Sequence, residues 1–188
     1  MNQVDIIYGL KTGDTAVFNE VVSTWQNKVY NTAISIVQNA EDAEDITQEV
    51  FVTLYQRIAT FREEALLSSW IYRITVSKSL DHEKRKKRQK RGGLLKKIFF
   101  IHEEEVPANF EHPGILLDNK EQAKILFGAL KKIPEKQRVA FTLHKIEALT
   151  NQEIAVIMNT SLYAIESLQL RAKNNLKKIL KSYYEKHL

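Results

Sequence analysis

The chain contains no cysteine. That excludes a disulfide framework, a thiolate metal site and a cysteine nucleophile, and it fits a reducing compartment. Turn formers are scarce too, with six glycines and three prolines among 188 residues. An all-β domain needs such residues at every hairpin, so their scarcity argues for helices. No apolar run approaches the roughly 20 residues of a membrane span. The opening MNQVDIIYGLKTGD has neither the basic start nor the apolar core of a secretory leader. The expectation is a cytosolic protein with no direct membrane insertion. The five histidines, His82, His102, His112, His144 and His187, are scattered, and none pairs with a carboxylate at ligand spacing on the acidic segment Glu41 to Glu49. Gly-rich phosphate loops and nucleophile motifs are missing. No catalytic residue, metal, cofactor or small-molecule substrate is therefore expected, and the chain does not read as an enzyme.

What is present is amphipathic and charged. The apolar fraction is 44%, enough for cores, and the net charge of +5 is compatible with an anionic partner. That sum hides segregation, because acids cluster at Glu41 to Glu49 and basic residues concentrate after Lys78. Val4 to Leu10 forms a short amphipathic segment that Lys11-Thr12-Gly13-Asp14 breaks. Asp14 or Thr15 can cap a second helix, whose apolar positions from Phe18 to Val37 follow helical spacing. A third helix runs from Glu41 to Ala59. Ile46, Val50, Phe51, Leu54 and Ile58 fall on one face; Glu41, Asp45, Gln48, Glu49 and Gln56 fall on the other, with Val52 among them. First-turn acids suit the helix dipole. Asp45, Gln48 and Glu49 lie further along, and they suit either a solvated face or a docking face for a basic partner.

The next helix runs from about Glu63 past Arg85, with Leu67, Trp70, Ile71, Ile74 and Leu80 inward and Arg73, Ser77 and Lys78 on other faces. It ends in the basic run EKRKKRQKR, and Gly92-Gly93 is expected to break it. Phe61, Trp70 and Tyr72 beside these cations suit single-stranded nucleic acid, where bases stack on rings and cations follow the backbone. The structural alternative is that Trp70 and Tyr72 are core. The segment 92–118 has no sustained period and holds Pro107 and Pro113, so it reads as a linker. Its apolar residues Leu94, Leu95, Ile98, Phe99, Phe100 and Ile101 suggest docking on the protein itself or on a partner.

Helical pattern resumes at Asn119, stops before Pro134, and resumes with Glu135 in a first turn. Thr150 to Lys178 then reads as a helix-turn-helix. Thr150 and Glu153 have capping-box spacing. Asn159 can end the first helix in a left-handed conformation, and Ser161 can cap the second. Ile165, Leu168, Ala172, Leu176 and Leu180 make the buried stripe of the second helix. Tyr163, Gln169, Arg171, Lys173, Lys177 and Lys178 lie opposite, on an element of the right diameter for a DNA major groove. The structural alternative for this stretch is an ordinary helical hairpin in a bundle. The expected fold is all-α: two small helical domains, 1–91 and 119–188, joined by a flexible linker at 92–118, the second domain containing the helix-turn-helix.

Three motifs in this order resemble the extracytoplasmic-function (ECF) sigma factors of bacterial RNA polymerase. DAEDITQEVF (Asp42 to Phe51) is similar to the helix that binds core polymerase. FREEALLSSWIYRITVSKSLDHEKRKKR (Phe61 to Arg88) is similar to the helix that melts and reads the −10 element. LKKIPEKQRVAFTLHKIEALTNQEIAVIMNTSLYAIESLQLRAKNNLKK is similar to the domain that reads the −35 element. The resemblance implies polymerase contacts at Asp45, Gln48 and Glu49, and −10 contacts at Phe61, Arg62, Trp70, Tyr72, Arg73, Ser77, Lys78 and Arg85. It implies −35 contacts at Ser161, Tyr163, Ala164, Glu166, Ser167, Arg171 and Lys173. It also implies a flipped, unstacked base held for recognition, a linker ordered on the polymerase, and control by an anti-sigma factor. Two departures stand out. Ser77 replaces the family's usual Asn, with one hydroxyl in place of a donor and an acceptor group. Ala164-Ile165-Glu166-Ser167-Leu168 lacks two cations common there, which implies fewer phosphate or guanine contacts. The function this implies is transcription initiation by a sigma factor; the alternative is a stand-alone helix-turn-helix regulator, which would bind duplex DNA by itself.

Overall fold

In the computed structural model, residues 2–62, 66–94 and 120–187 are described. Among them the chain forms eight α-helices, one 3-10 turn and no strand. The N-terminal unit comprises α1 (Gln3–Thr12), α2 (Thr15–Val37), α3 (Ala40–Arg57), a 3-10 turn (Ile58–Thr60) and α4 (Leu67–Leu94). The C-terminal unit comprises α5 (Lys120–Lys131), α6 (Glu135–Lys145), α7 (Asn151–Ile157) and α8 (Leu162–His187). The all-α expectation holds.

Local chemistry sets the helix ends. A helix leaves its first N–H groups without partners, and a short polar side chain can supply one. Asn2, Asp14 and Asn39 do so for α1, α2 and α3, accepting from Asp5 N at 2.9 Å, Ala16 N at 2.8 Å and Asp42 N at 2.8 Å. Gly13 ends α1 at φ 77°, where glycine carries no Cβ penalty. Gln38 ends α2 at φ 55°, a conformation that costs a residue with a Cβ. A compensating contact is described below.

The periodicity of the first unit translates into packing. Ile46, Val50, Phe51, Leu54 and Ile58 are all buried, while Asp45, Gln48, Glu49, Val52 and Gln56 are exposed. Helices α2, α3 and α4 pack on one another, and α1 closes onto α2 and the 3-10 turn. In the second unit α8 is the spine for α5, α6 and α7. Phe127, Leu130, Leu143, Ile154 and Ile165 are fully buried there.

Helix α4 differs from its expectation at both ends. It begins at Leu67, not near Glu63, and residues 63–65 lie outside the described residues. It also continues through Gly92-Gly93 to Leu94. A helical glycine costs only about 1 kcal/mol relative to alanine, so two near the end of a long helix need not stop it. The expected linker beyond Leu94, including Leu95, Ile98, Phe99, Phe100 and Ile101, lies outside the described residues.

The two units also touch, which the sequence reading did not anticipate. Helix α2 packs on α6, and α4 packs on α7. The side chain of Gln38, 3% exposed, donates from Nε2 to the carbonyl of Phe127 at 2.8 Å. Arg138, 4% exposed, donates to Glu83 at 3.3 Å, and Lys87 donates to Glu135. The lysine contact holds the Glu135 carboxyl below its usual range.

Helices α1 and α2 approach most closely at Gly9. A Cβ there would lie 2.6 Å from Val17 Cγ2. Gly9→Ala is expected to destabilise the protein by about 1–3 kcal/mol, the usual cost of overpacking, read as a lower midpoint in urea.

Candidate nucleic-acid interface

Two sides of the N-terminal unit carry the expected contact residues. Asp45 and Gln48 project from the exposed face of α3. Glu49 on the same face pairs with Lys78 of α4 at 3.2 Å. Asp42 turns elsewhere, meeting His82 at 3.2 Å and Lys86 at 2.9 Å.

Helices α3 and α4 flank an open cleft of about 690 Å³. It gathers five of the eight −10 candidates: Trp70, Arg73, Ser77, Lys78 and Arg85. Glu49 of the polymerase set lines the same cleft, so the two expected surfaces are contiguous. Arg57, Asp81 and Arg88 also line it and were not singled out as contacts. The signal for Arg57 was available, since Glu49, Thr53 and Arg57 repeat at four-residue spacing along α3. Cations outnumber carboxylates in the cleft, so a phosphate backbone would be attracted to it.

The other three −10 candidates are placed differently. Arg62 is exposed. Phe61 is 5% exposed and packs against Trp70 with ring centroids 5.1 Å apart, so it supports Trp70 from below. Trp70 itself is half-buried. Tyr72 is 4% exposed and faces the C-terminal unit. Its hydroxyl donates to Glu147 Oε2 at 2.9 Å, and its ring meets the edge of Trp25 at 5.6 Å. For Tyr72 the core alternative is the one realised here. Burial first, then the nearby Glu147 charge, push the Tyr72 hydroxyl above its ordinary range. Burial likewise raises the Glu147 carboxyl, opposed by the Tyr72 hydrogen bond and the charge of Lys28. Next to Tyr72, the Arg73 guanidinium donates to the carbonyl of Val156 at the end of α7.

The helix-turn-helix is assembled as its capping residues specify. Thr150 Oγ1 accepts from Glu153 N at 3.3 Å, and Glu153 Oε2 accepts from Thr150 N at 2.8 Å. Asn159 takes φ 49°, and Ser161 Oγ accepts from Ala164 N at 3.2 Å. Ile165, Ala172 and Leu176 are buried, which turns Tyr163, Glu166, Arg171 and Lys173 outward. Ser161 is exposed; Ala164 and Ser167 are half-buried. Tyr163 is 81% exposed and Leu170 61%; Leu170 lies off the stripe of Ile165, Leu168 and Ala172 and was not singled out. Gln169 Nε2 reaches back to Asn151 at 2.9 Å, tying α8 to the start of α7. Among the described residues no group of three or more His, Asp or Glu could hold a metal ion. No described helix is long and apolar enough to cross a membrane.

Comparison with known proteins places this geometry. The family model "Sigma-70 region 2" matches residues 21–89, and "Sigma-70, region 4" matches residues 124–176. The RNA polymerase sigma-H factor of Pseudomonas aeruginosa is 24% identical over 177 residues, covering 93% of this chain and 92% of that one. The ECF RNA polymerase sigma-E factor of Escherichia coli is 26% identical over 182 residues, covering 89% and 88%. Two solved complexes share the fold. CnrH, bound to the cytosolic domain of CnrY, superposes with a TM-score of 0.69 at 16% identity, covering 96% of this chain and 97% of that one. RpoE of Bartonella quintana, bound to the anti-sigma factor NepR, gives 0.67 at 22% identity, covering 87% and 96%. The chain belongs to the ECF sigma factors of the sigma-70 family. It is a factor for transcription initiation, a class that binds core RNA polymerase and promoter DNA.

The capping box gives the helix-turn-helix a measurable dependence. The Thr150 hydrogen bonds hold the Glu153 carboxyl below its ordinary value. A lowered carboxylate value contributes stability that is present above the unfolded-state value and is lost as pH falls through the folded one. Thr150→Ala is expected to cost about 1 kcal/mol near neutral pH. That difference from the parent should shrink in acid, as thermal unfolding at neutral and acidic pH will read.

Proposed function

We propose that the N-terminal unit docks core polymerase through the outer face of α3 and engages the −10 element through the α3–α4 cleft, while α8 reads the −35 element. The observation that carries this is the contiguity of an acidic helix face with a cation-lined cleft holding Trp70, Arg73, Ser77, Lys78 and Arg85. A stand-alone repressor has no use for either, and the helix-turn-helix alone leaves both unexplained.

Each residue then has a physical task. Asp45, Gln48 and Glu49 offer charge and hydrogen bonds to a basic helical surface of the polymerase. The Glu49–Lys78 pair is about half exposed on its acidic side. Such pairs are worth about 0–1 kcal/mol, so polymerase can take Glu49 and free Lys78 for phosphate at small cost. Trp70, braced by Phe61, offers a ring face to an unstacked base. Arg62, Arg73 and Arg85, with Arg57 and Arg88, follow the backbone. Ser77 offers a single hydroxyl to a base edge. On α8, Arg171 and Lys173 hold phosphates, Tyr163, Ala164, Glu166 and Ser167 face the major groove, and Ser161 fixes the helix start. The domains follow these tasks: 1–91 for polymerase and the −10 element, 119–188 for the −35 element, 92–118 as the connection. The protein performs no bond chemistry of its own, needs no cofactor or metal, and works in the cytoplasm. The anti-sigma partner of the Bartonella relative supports control of this chain by a regulator of that type.

Run-off transcription with purified bacterial core polymerase on fragmented host genomic DNA tests the reading. New discrete starts sharing upstream elements are expected only when the protein is added. No new starts, together with tight sequence-specific duplex binding by the protein alone, would make it a conventional regulator. Two substitutions sharpen the residue assignments. Asp45→Lys with Glu49→Lys is expected to weaken core binding about tenfold or more, because opposite charges at that interface become like charges. Ser77→Asn should change the base preferred at one −10 position and leave the −35 preference intact, as read on permuted promoters.

A further inference from the structure

We propose that a second cleft, lined by Lys86, Lys87, Lys131, Lys136 and Arg138, binds a nucleotide, with its phosphates on these cations and its base on the apolar part of the wall. None of the five is among the polymerase or promoter contacts, so the inference goes beyond that reading and does not rest on it. The cleft follows the seam between the two units and measures about 730 Å³. Small-ligand sites run to about 300–1,000 Å³, so a nucleotide fits. The five cations face two carboxylates, Glu83 and Glu135, which leaves the cleft positive. Val37, Ile133, Pro134 and Leu168 supply the apolar surface.

Two buried side chains on the wall show what the ligand must offer. Arg138 is 4% exposed; one of its terminal nitrogens meets Glu83 at 3.3 Å, but its Nε has no hydrogen-bond partner among the described residues. Gln38 is 3% exposed; its Nε2 donates to the Phe127 carbonyl, and its Oε1 has no such partner either. A buried donor or acceptor left unpaired is costly, so a ligand that pairs both gains affinity. A phosphate oxygen can accept from Arg138. Gln38 needs a donor, which the amino group of a base provides and a bare phosphate chain does not. Both atoms are covered in the free protein, so each side chain turns as the ligand enters.

The backbone adds donors. Helix α6 starts after Pro134, and no side chain caps it. Its first N–H groups, at Glu135, Lys136 and Gln137, have no intrahelical acceptor and form the positive end of the helix dipole. All three residues line the cleft, so a phosphate there meets N–H groups as well as lysines. The Glu135 carboxylate opposes this, and Lys87 pairs with it. That pair is about half exposed on its lysine side, and such pairs are weak, so Lys87 can turn to a phosphate.

Calorimetric titration of the full chain with GTP, without magnesium, tests the site. One saturable site is expected, and inorganic tripolyphosphate, which lacks a base, should bind about tenfold more weakly. Lys131→Glu with Lys136→Glu reverses two cations at half-buried and exposed positions. This pair should weaken GTP about tenfold or more, the ratio expected for one lost charge-assisted hydrogen bond. Lys11→Glu with Lys181→Glu makes the same change of charge at exposed positions that do not line the cleft. Distant charges are screened, so that pair should leave the affinity within about twofold. No saturable binding would overturn the proposal. So would equal weakening by the two pairs, which marks nonspecific attraction, and tripolyphosphate binding as tight as that of GTP. A random-sequence single-stranded hexanucleotide that binds more tightly than GTP and needs Lys131 and Lys136 would make the cleft a strand path, which also overturns it. Should the Lys131, Lys136 pair lose its helical circular dichroism, amine modification of the parent decides. GTP should protect Lys86, Lys87, Lys131 and Lys136, and unchanged modification overturns the site.

Discussion

Burial of two opposite faces of α4 is the constraint on which the arrangement depends. Leu67 and Ile71 are buried in the apolar cluster, with Trp70 and Ile74 packed against it, while Ser69, Tyr72, Thr75, Val76 and Ser79 are buried as well. The polar members stay buried because they are satisfied or small. Thr75 Oγ1 donates to the Ile71 carbonyl at 2.9 Å, and Ser79 Oγ to the Thr75 carbonyl at 2.8 Å. Tyr72 has no such local partner, and a buried hydroxyl without one costs about 1–3 kcal/mol. Glu147, from the other unit, supplies it. The C-terminal unit thus supplies the partner of a hydroxyl that lies against it, and the contacts of Gln38 and Arg138 continue the same seam further along.

Between residues 67 and 80 of α4 only Arg73 and Ser77 remain exposed. Arg73, Ser77, Arg85 and Arg88 are exposed and Lys78 is half-buried, and all of them line the cleft beside α3. The cleft and the acidic face of α3 share Glu49, so a partner on one surface is electrostatically coupled to a ligand on the other. The strength of that coupling is bounded by the strength of an exposed ion pair, a few-fold in an equilibrium constant. The seam is larger, with several polar contacts and packed helices between the two units.

Most of the helices were legible from sequence because their signals are local. Apolar spacing placed the inner face of α3, and capping chemistry placed the start and end of α7 and the start of α8 down to individual hydrogen bonds. The glycines at 92 and 93 misled, because propensity sets a cost and not a prohibition. The cleft was half legible: the residues on α4 came from one helix face, but Arg57 came from α3 and needed the packing of the two helices to join them. Leu170 was legible as off the core, because the spacing of Ile165, Leu168 and Ala172 leaves it outside their stripe, but nothing in the sequence gave its exposed apolar side chain a task.

The seam was not legible at all. Tyr72 and Glu147 are 75 residues apart, Gln38 and Phe127 89, Glu83 and Arg138 55. Each of the polar side chains, taken singly, is ordinary on a surface, and no periodicity marks polar residues that pair across such distances. Gln38 gave no sequence signal either, although in the structure its left-handed conformation at a helix end costs free energy that something must offset. Here the offset is a buried hydrogen bond to a neighbouring unit's main chain. The acceptor is a carbonyl, so the clasp depends on the backbone position of Phe127 and not on its side-chain chemistry. Substitution at 127 would act on it only through packing, whereas substitution at 38 removes the donor itself. The two ends of one contact therefore answer to different physics, and only the Gln38 end lies in side-chain chemistry.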